Sequence, residues 1–294
     1  MRGLPALPPE RTWRPLLALA LAEDVGPGDV TTPLVVPPDC TGSAVIEARQ
    51  SLVACGLEIA EAVFHTIDPG LAHEARSRDG ERVEAGQPLV FVAGAIRSIL
   101  VAERTALNFL ARLCGVATWT RRFVDAVAGT GARIVDTRKT IPGWRTLDKY
   151  ATAVGGASNH RTGLYDGILL KDNHIALAGG VALAVKSARA TAPAGLRVQV
   201  EVESVDDAVA AVEAGADFLL LDNRPPEELR RIVERLAGRA LLEASGGVDL
   251  ENVRAVAETG VQRISIGALT HSAPGADLAL EIHSGGGQPG GVGA

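Results

Sequence analysis

Residues 198–223, VQVEVESVDDAVAAVEAGADFLLLDN, contain a short apolar run, a helical stretch and a second apolar run. The runs Val198 to Val202 and Phe218 to Leu221 have the length and composition of buried strands. Between them, Ser204 and Asp207 have the spacing of a capping box, in which the serine hydroxyl accepts a hydrogen bond from a free backbone N–H at the helix start. A strand, a helix and a strand in this order predict a parallel β/α unit.

The same unit recurs through the second half of the chain, where most apolar runs are separated by a helical stretch. The runs are Arg133 to Val135, Gly167 to Leu170, Val198 to Val202, Phe218 to Leu221, Ala240 to Leu242 and Ile264 to Ile266. Six units of this kind imply a parallel sheet, and their number favours a closed or nearly closed β/α barrel. An open doubly wound sheet is the alternative.

The chain before Gly115 lacks this regular alternation. Thr41 to Arg49 alternates apolar and polar residues like a half-buried strand, while Leu57 to His65 and Ile99 to Leu113 have helical spacing. We therefore predict an N-terminal α+β domain over residues 1–115 and a barrel domain over residues 116–271. The glycine-rich residues 285–294 predict a disordered tail.

Composition narrows the class of protein. The 294 residues carry a formal net charge of −6, so the chain has no global basic field and nucleic acid is not an expected partner. The apolar run from Leu16 to Ala22 is far shorter than the roughly 20 residues of a membrane span, so no membrane partner is expected. Three cysteines, Cys40, Cys55 and Cys114, lack metal-ligand spacing and fit a reducing compartment, which predicts a cytoplasmic protein.

Polar residues follow nearly every apolar run, at the end where a parallel strand would stop. The carboxyl ends of barrel strands share one rim, so these residues are predicted to meet at one mouth. The candidate cations are Arg138, Lys139, Arg161 and Lys171, with His160 as a fifth, and the candidate carboxylates are Glu201 and Asp222. This set suits a polyanionic substrate that also carries hydroxyls. For any single position the alternative is a charge that only begins a solvated loop.

Glycine-rich turns lie among these residues. Ser245-Gly246-Gly247 and Gly267 leave backbone N–H groups open to the close approach of an anion, and later barrel loops commonly bind phosphate. Residues 155–161 add a further turn that ends in His160 and Arg161. A surface loop is the alternative for that turn.

Together these motifs resemble the quinolinate phosphoribosyltransferase family, also called carboxylating nicotinate-nucleotide pyrophosphorylase. Nine strings in family order, spread over most of the chain, carry the resemblance. They are Glu23-Asp24 with Gly28-Asp29 and Thr31-Thr32, Glu103-Arg104-Thr105-Ala106-Leu107-Asn108, Thr137-Arg138-Lys139-Thr140 with Pro142-Gly143, His160-Arg161, Lys171-Asp172-Asn173-His174, Glu201-Val202-Glu203, Leu221-Asp222-Asn223, Glu243-Ala244-Ser245-Gly246-Gly247 and Ser265-Ile266-Gly267-Ala268-Leu269-Thr270-His271.

The resemblance implies an N-terminal α/β sandwich joined to an incomplete β/α barrel. It also implies a homodimer in which each sandwich covers the partner's barrel mouth, and a C-terminal helix, within residues 272–284, that returns to the sandwich. Two positions depart from the family pattern. The family's glycine triplet is Gly155-Gly156-Ala157 here, and Trp144 stands where a smaller apolar residue is more usual.

The resemblance also implies a role for each candidate residue. Arg104 from the partner subunit, with Arg138, His160, Arg161 and Lys171, would surround quinolinate, and Lys139 would lie beside the phosphates. Glu201 and Asp222 would bind the ribose and its Mg²⁺. The phosphate-binding residues would be Ser245, Gly246, Gly247 and Gly267.

The implied reaction belongs to NAD biosynthesis. Quinolinate and phosphoribosyl pyrophosphate would give nicotinate mononucleotide, pyrophosphate and CO₂. Three alternatives remain at this point: a relative of the same fold that acts on another base, a non-catalytic phosphosugar-binding barrel, and a Schiff-base lyase that uses Lys171 or Lys139.

Overall fold

The computed structural model describes residues 4–284, so the tail predicted for residues 285–294 lies outside the described residues. The chain divides into two compact units, which are described separately. The first contains residues 4–119, 142–155 and 273–284, and the second contains residues 120–141 and 156–272. These limits differ from the boundaries predicted from the sequence, because residues 116–119 and 142–155 belong to the first unit.

The secondary structure consists of short strands and helices with one long helix. The strands are β1 Thr41–Ala48, β2 Leu52–Val53, β3 Ala72–Ala75, β4 Arg82–Val83, β5 Pro88–Ala95, β6 Arg133–Val135, β7 Ile168–Leu170, β8 Val198–Val202, β9 Phe218–Asp222, β10 Leu241–Ser245, β11 Arg263–Ser265 and β12 Leu278–Ser284. The helices are α1 Arg14–Val25, α2 Thr32–Val35, α3 Leu57–Ile67, α4 Ile96–Ala126, α5 Arg145–Val154, α6 Asp172–Ala178, α7 Val181–Thr191, α8 Val205–Glu213, α9 Pro226–Leu236, α10 Val253–Ala257 and α11 Ala268–His271, preceded by a 3₁₀ turn at Glu10–Thr12.

The first unit is built on a four-stranded antiparallel sheet in the order β12-β1-β5-β3. Its core joins buried residues of β1 such as Ile46 to Val63 of α3 and Leu110 of α4. The C-terminal helix expected within residues 272–284 is wrong, because residues 278–284 form a strand paired with β1. Leu278 and Leu280 pack against the core on alternate positions, which is a strand period rather than a helical one.

Helix α5 lies in the first unit although its sequence falls between two barrel strands. Its buried Asp148 accepts hydrogen bonds from Arg112 of α4, at 2.8 and 3.0 Å. Trp144, just before the helix, stacks on Phe109 of α4 with ring centroids 4.9 Å apart. The large side chain at position 144 therefore packs this helix onto the core of the first unit.

The second unit contains a six-stranded parallel sheet in the order β6-β11-β10-β9-β8-β7. Strands β7 to β11 follow one another in chain order, and β6 pairs with β11 at the far edge. This winding is that of a β/α barrel, left incomplete between β6 and β7, and it confirms the predicted incomplete barrel over the doubly wound alternative. Ser158 forms a single parallel bridge with Val135 on the free side of β6.

Alternate residues of these strands point in opposite directions. Leu219 and Leu221 of β9 are fully buried on the side away from the cavity described below, whereas Leu220 and Asp222 line that cavity. At the start of α8, the hydroxyl of Ser204 accepts a hydrogen bond from the backbone N–H of Asp207, at 3.0 Å, as the spacing predicted.

The three cysteines are free thiols. Cys55 and Cys114 are buried in the first unit, and burial raises the pKa of the Cys114 thiol to about 12. Among the helices of residues 4–284, none combines the length and the apolar composition that crossing a bilayer requires.

Ala237, which ends α9, has φ +44°, a left-handed conformation that disfavours residues with a Cβ. We expect Ala237→Gly to stabilise the protein by about 1 kcal/mol, measured as the free energy of unfolding in urea. The matched control is Ala214→Gly at the end of α8, where φ is −79° and glycine should destabilise by up to about 1 kcal/mol. Equal effects of the two substitutions would contradict the argument.

Candidate active site

The carboxyl ends of the parallel strands in the second unit surround a cavity of about 440 Å³. Of the twelve site residues predicted from the sequence, all but Arg104 line it. They are Arg138, Lys139, His160, Arg161, Lys171, Glu201, Asp222, Ser245, Gly246, Gly247 and Gly267. Lining residues outside that prediction are Thr137, Leu169, Leu220, Glu243, Val248, Ser265, Ile266, Ala268 and His271.

Arg104 lies elsewhere. Its side chain is exposed on α4 in the first unit, and it is not among the residues that line the cavity. Its predicted role in a partner's site stays a prediction.

Strand register explains why the acidic and hydroxyl groups converge. Ser245 of β10 is paired with Asp222 of β9 on one side and with Ser265 of β11 on the other. Glu201 of β8 pairs with Leu220, one pleat below Asp222. Since side chains alternate along each strand, these positions share the inner side of the sheet.

One side of the cavity is cationic. Burial, and after it the nearby charge of Arg138, lower the pKa of the Arg161 guanidinium, while Asp166 opposes the shift. Arg161 also donates a hydrogen bond to the carbonyl oxygen of Gly167 at 3.1 Å, which fixes its direction. Two guanidinium groups close together and partly buried form a site that a bound anion would stabilise.

The turn before His160 is held in place by Asp136, which is completely buried. The Asp136 carboxylate accepts hydrogen bonds from the backbone N–H of His160 at 2.7 Å and from Nδ2 of Asn159 at 2.6 Å. Of residues 155–157, where the family pattern has three glycines, only Gly156 has a positive φ, at +102°. Alanine at position 157 therefore causes no backbone strain, and its presence in place of glycine leaves this turn intact.

The opposite side of the cavity is acidic. Lys171 Nζ lies 3.6 Å from Glu201 Oε2. Burial raises the pKa of Glu201 above its ordinary value; Lys171 opposes that shift, and the carboxylates of Asp222 and Asp172 add to it. Negative charge is therefore concentrated here, and a cation or a hydroxyl-bearing ligand would relieve it.

The Ser245-Gly246-Gly247 loop follows β10 directly. Gly246 has φ +86°, and a Cβ at this position would lie 2.2 Å from Oδ1 of Asn223, so the turn needs glycine for both conformation and space. Asn223 has φ +53°. Its backbone N–H donates a hydrogen bond to the carbonyl oxygen of Ser245, and its Nδ2 donates one to the Asp222 carboxylate at 2.7 Å. Asn223 thus connects the acidic side to the glycine loop.

Gly267 faces the same end of the cavity. A Cβ on it would lie 3.0 Å from Lys139 Cδ and from His271 Nε2, so the absence of a side chain leaves room for these two residues. Thr270 donates a hydrogen bond to the carbonyl oxygen of Lys139 at 2.8 Å, which ties the loop after β6 to the loop after β11.

Beneath the cations lies a polar cluster that the sequence reasoning missed. Glu243 is completely buried, with Oε2 2.8 Å from Nε of Arg263 and Oε1 3.5 Å from Nε2 of His160. Gln199 Oε1 lies 3.0 Å from the same histidine nitrogen. The sequence does carry a signal for these residues, because Gln199 and Glu243 alternate in step with Glu201 and Ser245 along β8 and β10.

Comparisons with known proteins identify the family of this chain. Residues 29–114 match the model of the quinolinate phosphoribosyl transferase N-terminal domain, and residues 116–281 match that of its C-terminal domain. The nicotinate-nucleotide pyrophosphorylase [carboxylating] of Mycobacterium leprae is 42% identical over 275 residues, covering 92% of this chain and 96% of the relative. A probable enzyme of the same name from Bacillus subtilis is 37% identical, covering 88% and 90%.

Solved structures lead to the same family. NadC from Streptococcus pyogenes superposes with a TM-score of 0.91 at 35% identity, covering 95% of this chain and 99% of that one. The nicotinate-nucleotide pyrophosphorylase from Francisella tularensis gives a TM-score of 0.91 at 38% identity, covering 94% and 98%. With both domains matched in order and a cavity lined by the family's motif residues, this chain belongs to the quinolinate phosphoribosyltransferase family.

Proposed function

We propose that the cavity of the second unit transfers a phosphoribosyl group from phosphoribosyl pyrophosphate to quinolinate and then releases CO₂, giving nicotinate mononucleotide and pyrophosphate. This is the carboxylating nicotinate-nucleotide pyrophosphorylase reaction of NAD biosynthesis, for which the relatives are named. The observation that carries the proposal is that one cavity is lined by the cations Arg138, Arg161 and Lys171 together with the carboxylates of Glu201 and Asp222. A dicarboxylated ring suits the first set, and a pentose with its hydroxyls suits the second.

The cationic side holds the acceptor. Arg138, Arg161 and Lys171 bind the two carboxylates of quinolinate and so hold the pyridine nitrogen in line with C1 of the ribose. The nitrogen forms a bond to C1 as the bond from C1 to pyrophosphate breaks, and the bonding electrons leave with pyrophosphate. The ring nitrogen then carries a positive charge, which stabilises the electron pair left on the adjacent carbon when its carboxylate departs as CO₂. A proton then binds to that carbon in place of the lost carboxylate.

The glycine-rich end holds the phosphates. Lys139 supplies a point charge there, while the backbone N–H groups of the Ser245-Gly246-Gly247 loop and of Gly267 are placed to donate hydrogen bonds to phosphate oxygens. These groups bind most strongly to the charge that grows on the leaving pyrophosphate, which is the interaction that accelerates the reaction.

Mg²⁺ fits the acidic side as a shared ion. In residues 4–284 there is no group of three or more histidine, cysteine, aspartate or glutamate side chains arranged to hold a metal. Two carboxylates, Glu201 and Asp222, suit an ion that takes its remaining ligands from phosphates and water, as Mg²⁺ commonly does. The repulsion that helps raise the pKa of Glu201 would be relieved by such a cation. When bound, Mg²⁺ would neutralise charge on the leaving pyrophosphate.

The lyase alternative is weakened by the surroundings of Lys171. Its Nζ lies 3.6 Å from the Glu201 carboxylate in an ion pair, so the nitrogen is engaged with a carboxylate rather than open to attack a carbonyl carbon. The position of Lys171 among other cations favours anion binding.

We also propose a homodimer in the cytoplasm. The exposed position of Arg104 on α4 supports the dimer, because an exposed arginine that does not line the site cavity of its own chain is available to a second copy. Three free thiols are compatible with a reducing compartment.

Lys171→Ala and Arg138→Ala are each expected to reduce kcat/KM for quinolinate by about 100-fold or more while the protein stays folded, because each loses a charge-assisted contact to a carboxylate. Steady-state kinetics with quinolinate and with nicotinate as acceptor measures the effect. The matched control is Lys186→Ala on the exposed surface of α7, which should retain normal kinetics. Normal quinolinate kinetics in the Lys171 and Arg138 variants would overturn the assigned roles.

Glu201→Gln is expected to reduce turnover by about 100-fold yet raise the thermal midpoint of the ligand-free protein at pH 7. Folding raises the pKa of Glu201, so its ionised form is disfavoured in the native chain, and a neutral amide removes that cost. The stabilisation should shrink as the pH falls through the raised pKa, where Glu201 takes up a proton. Scanning calorimetry at several pH values measures the midpoint, and Glu213→Gln at an exposed position of α8 is the control. A lower midpoint for Glu201→Gln would contradict the prediction.

A mixture of Arg104→Ala and Lys171→Ala subunits is expected to recover activity that neither variant has alone. If Arg104 enters a partner's site, a mixed dimer contains one site with both residues intact, so up to roughly a quarter of normal activity per protein should return under random exchange. Activity is assayed after mild dissociation and reassociation. Native mass spectrometry confirms exchange, and mixed dimers without activity would rule out shared sites.

A further inference from the structure

Glu243 occupies an unusual position for a carboxylate. It lies in the middle of β10, is completely buried, and lines the cavity below the predicted quinolinate cations. Its register neighbour on β9 is Leu220, an apolar residue on the same inner side of the sheet. Burying a charge costs several kcal/mol unless its partners compensate, and an apolar residue would stabilise the sheet as well or better. The carboxylate therefore calls for an explanation beyond packing.

The partners of Glu243 compensate its charge only in part. Arg263 lies 2.8 Å away on the paired position of β11, and its guanidinium also lies over the ring of Phe218 at 5.2 Å. In the described part of the chain, neither oxygen of Glu243 has a hydrogen bond of good geometry. One oxygen, Oε1, is directed toward Nε2 of His160 at 3.5 Å.

The hydrogen bonds around His160 define its tautomer. The backbone N–H of Arg161 donates to Nδ1 of His160 at 2.7 Å, so Nδ1 must present a lone pair. The proton of the neutral ring therefore lies on Nε2, which faces Gln199 Oε1 at 3.0 Å and the Glu243 carboxylate. Both neighbours of Nε2 are acceptors, so they favour the same tautomer and the same ring orientation.

We infer that Glu243, assisted by Gln199, is a positioning residue for quinolinate binding. The hydrogen bond at Nε2 is made with Gln199, while the Glu243 carboxylate, 3.5 Å from Nε2, favours a proton on that nitrogen by its charge. His160 in turn fixes the backbone at Arg161, whose guanidinium meets the substrate. The inference rests on the proposed role of Arg161 in binding quinolinate. A guanidinium fixed in advance binds a carboxylate more tightly than one that must be ordered on binding.

Glu243→Gln tests this role with almost no change in volume. Arg263 takes the single amide oxygen because it is a cation, so the NH₂ group of the new side chain faces Nε2–H of His160, and two donors oppose each other. The dissociation constant of quinolinate, measured by calorimetry, is expected to rise about 10-fold or more. That of phosphoribosyl pyrophosphate, which binds at the other end of the cavity, should change less than about 2-fold.

Nuclear magnetic resonance supplies a readout that general destabilisation would leave unchanged. In protein labelled with ¹⁵N-histidine, the His160 signals, assigned by their loss in His160→Asn, should show the Nε2–H tautomer in the parent protein. Glu243→Gln should shift that population toward the other tautomer. Gln199→Leu removes the second acceptor and supplies the test if Glu243→Gln fails to fold. It should also weaken the binding of quinolinate and leave that of phosphoribosyl pyrophosphate unchanged.

Asp217→Asn is the matched control, because Asp217 pairs with Arg189 at 2.7 Å in the same unit and does not line the cavity. It should lower stability and leave both dissociation constants unchanged. Unchanged quinolinate affinity and an unchanged His160 tautomer in both Glu243→Gln and Gln199→Leu would overturn the inference, provided that Arg138→Ala still weakens the binding of quinolinate. If Arg138→Ala has no effect either, the proposed quinolinate site itself fails.

Discussion

The parallel pairing of β8, β9, β10 and β11 is the constraint on which the site depends. Parallel strands bring all their carboxyl ends to one edge, so Glu201, Asp222 and Ser245 share one side without any loop to guide them. A slip of one residue in any pair would turn the inner side chains of that strand outward. The fully buried outward residues Leu219 and Leu221 oppose such a slip, since it would place them in the cavity and their polar neighbours in the core.

Groups of like charge lie close together in this cavity. Arg161 lies near Arg138, while Glu201 lies near Asp222, and each pair is disfavoured in the free protein by its like charge and by burial. The proposed substrates have complementary groups, with carboxylates on quinolinate for the arginines and hydroxyls on the ribose for the acids. Part of the cost of holding like charges together is therefore recovered only when both substrates are bound, which favours the reacting complex over the empty site.

The sequence predicted which polar residues line the cavity better than it predicted which unit each segment joins. Residues such as Lys171 and Asp222 follow clear apolar runs, so their position at a strand end could be read directly. The location of α5 could not, because Asp148 and Trp144 find their partners Arg112 and Phe109 only in the folded first unit. The role of Glu243 could not be predicted for a related reason. It depends on contacts with His160 and Arg263, which are distant in sequence.

The first unit is assembled from three separate stretches of polypeptide, and its sheet includes the last described strand. During synthesis on the ribosome, β5 becomes available to β1 long before β12 does, so the other edge of β1 has no partner strand until residues 278–284 have been made. An open edge with unsatisfied backbone groups invites pairing with a neighbouring nascent chain. The sheet of the amino-terminal unit is therefore complete only with its last described strand, and we expect a chain that ends before residue 278 to expose the unpaired edge of β1.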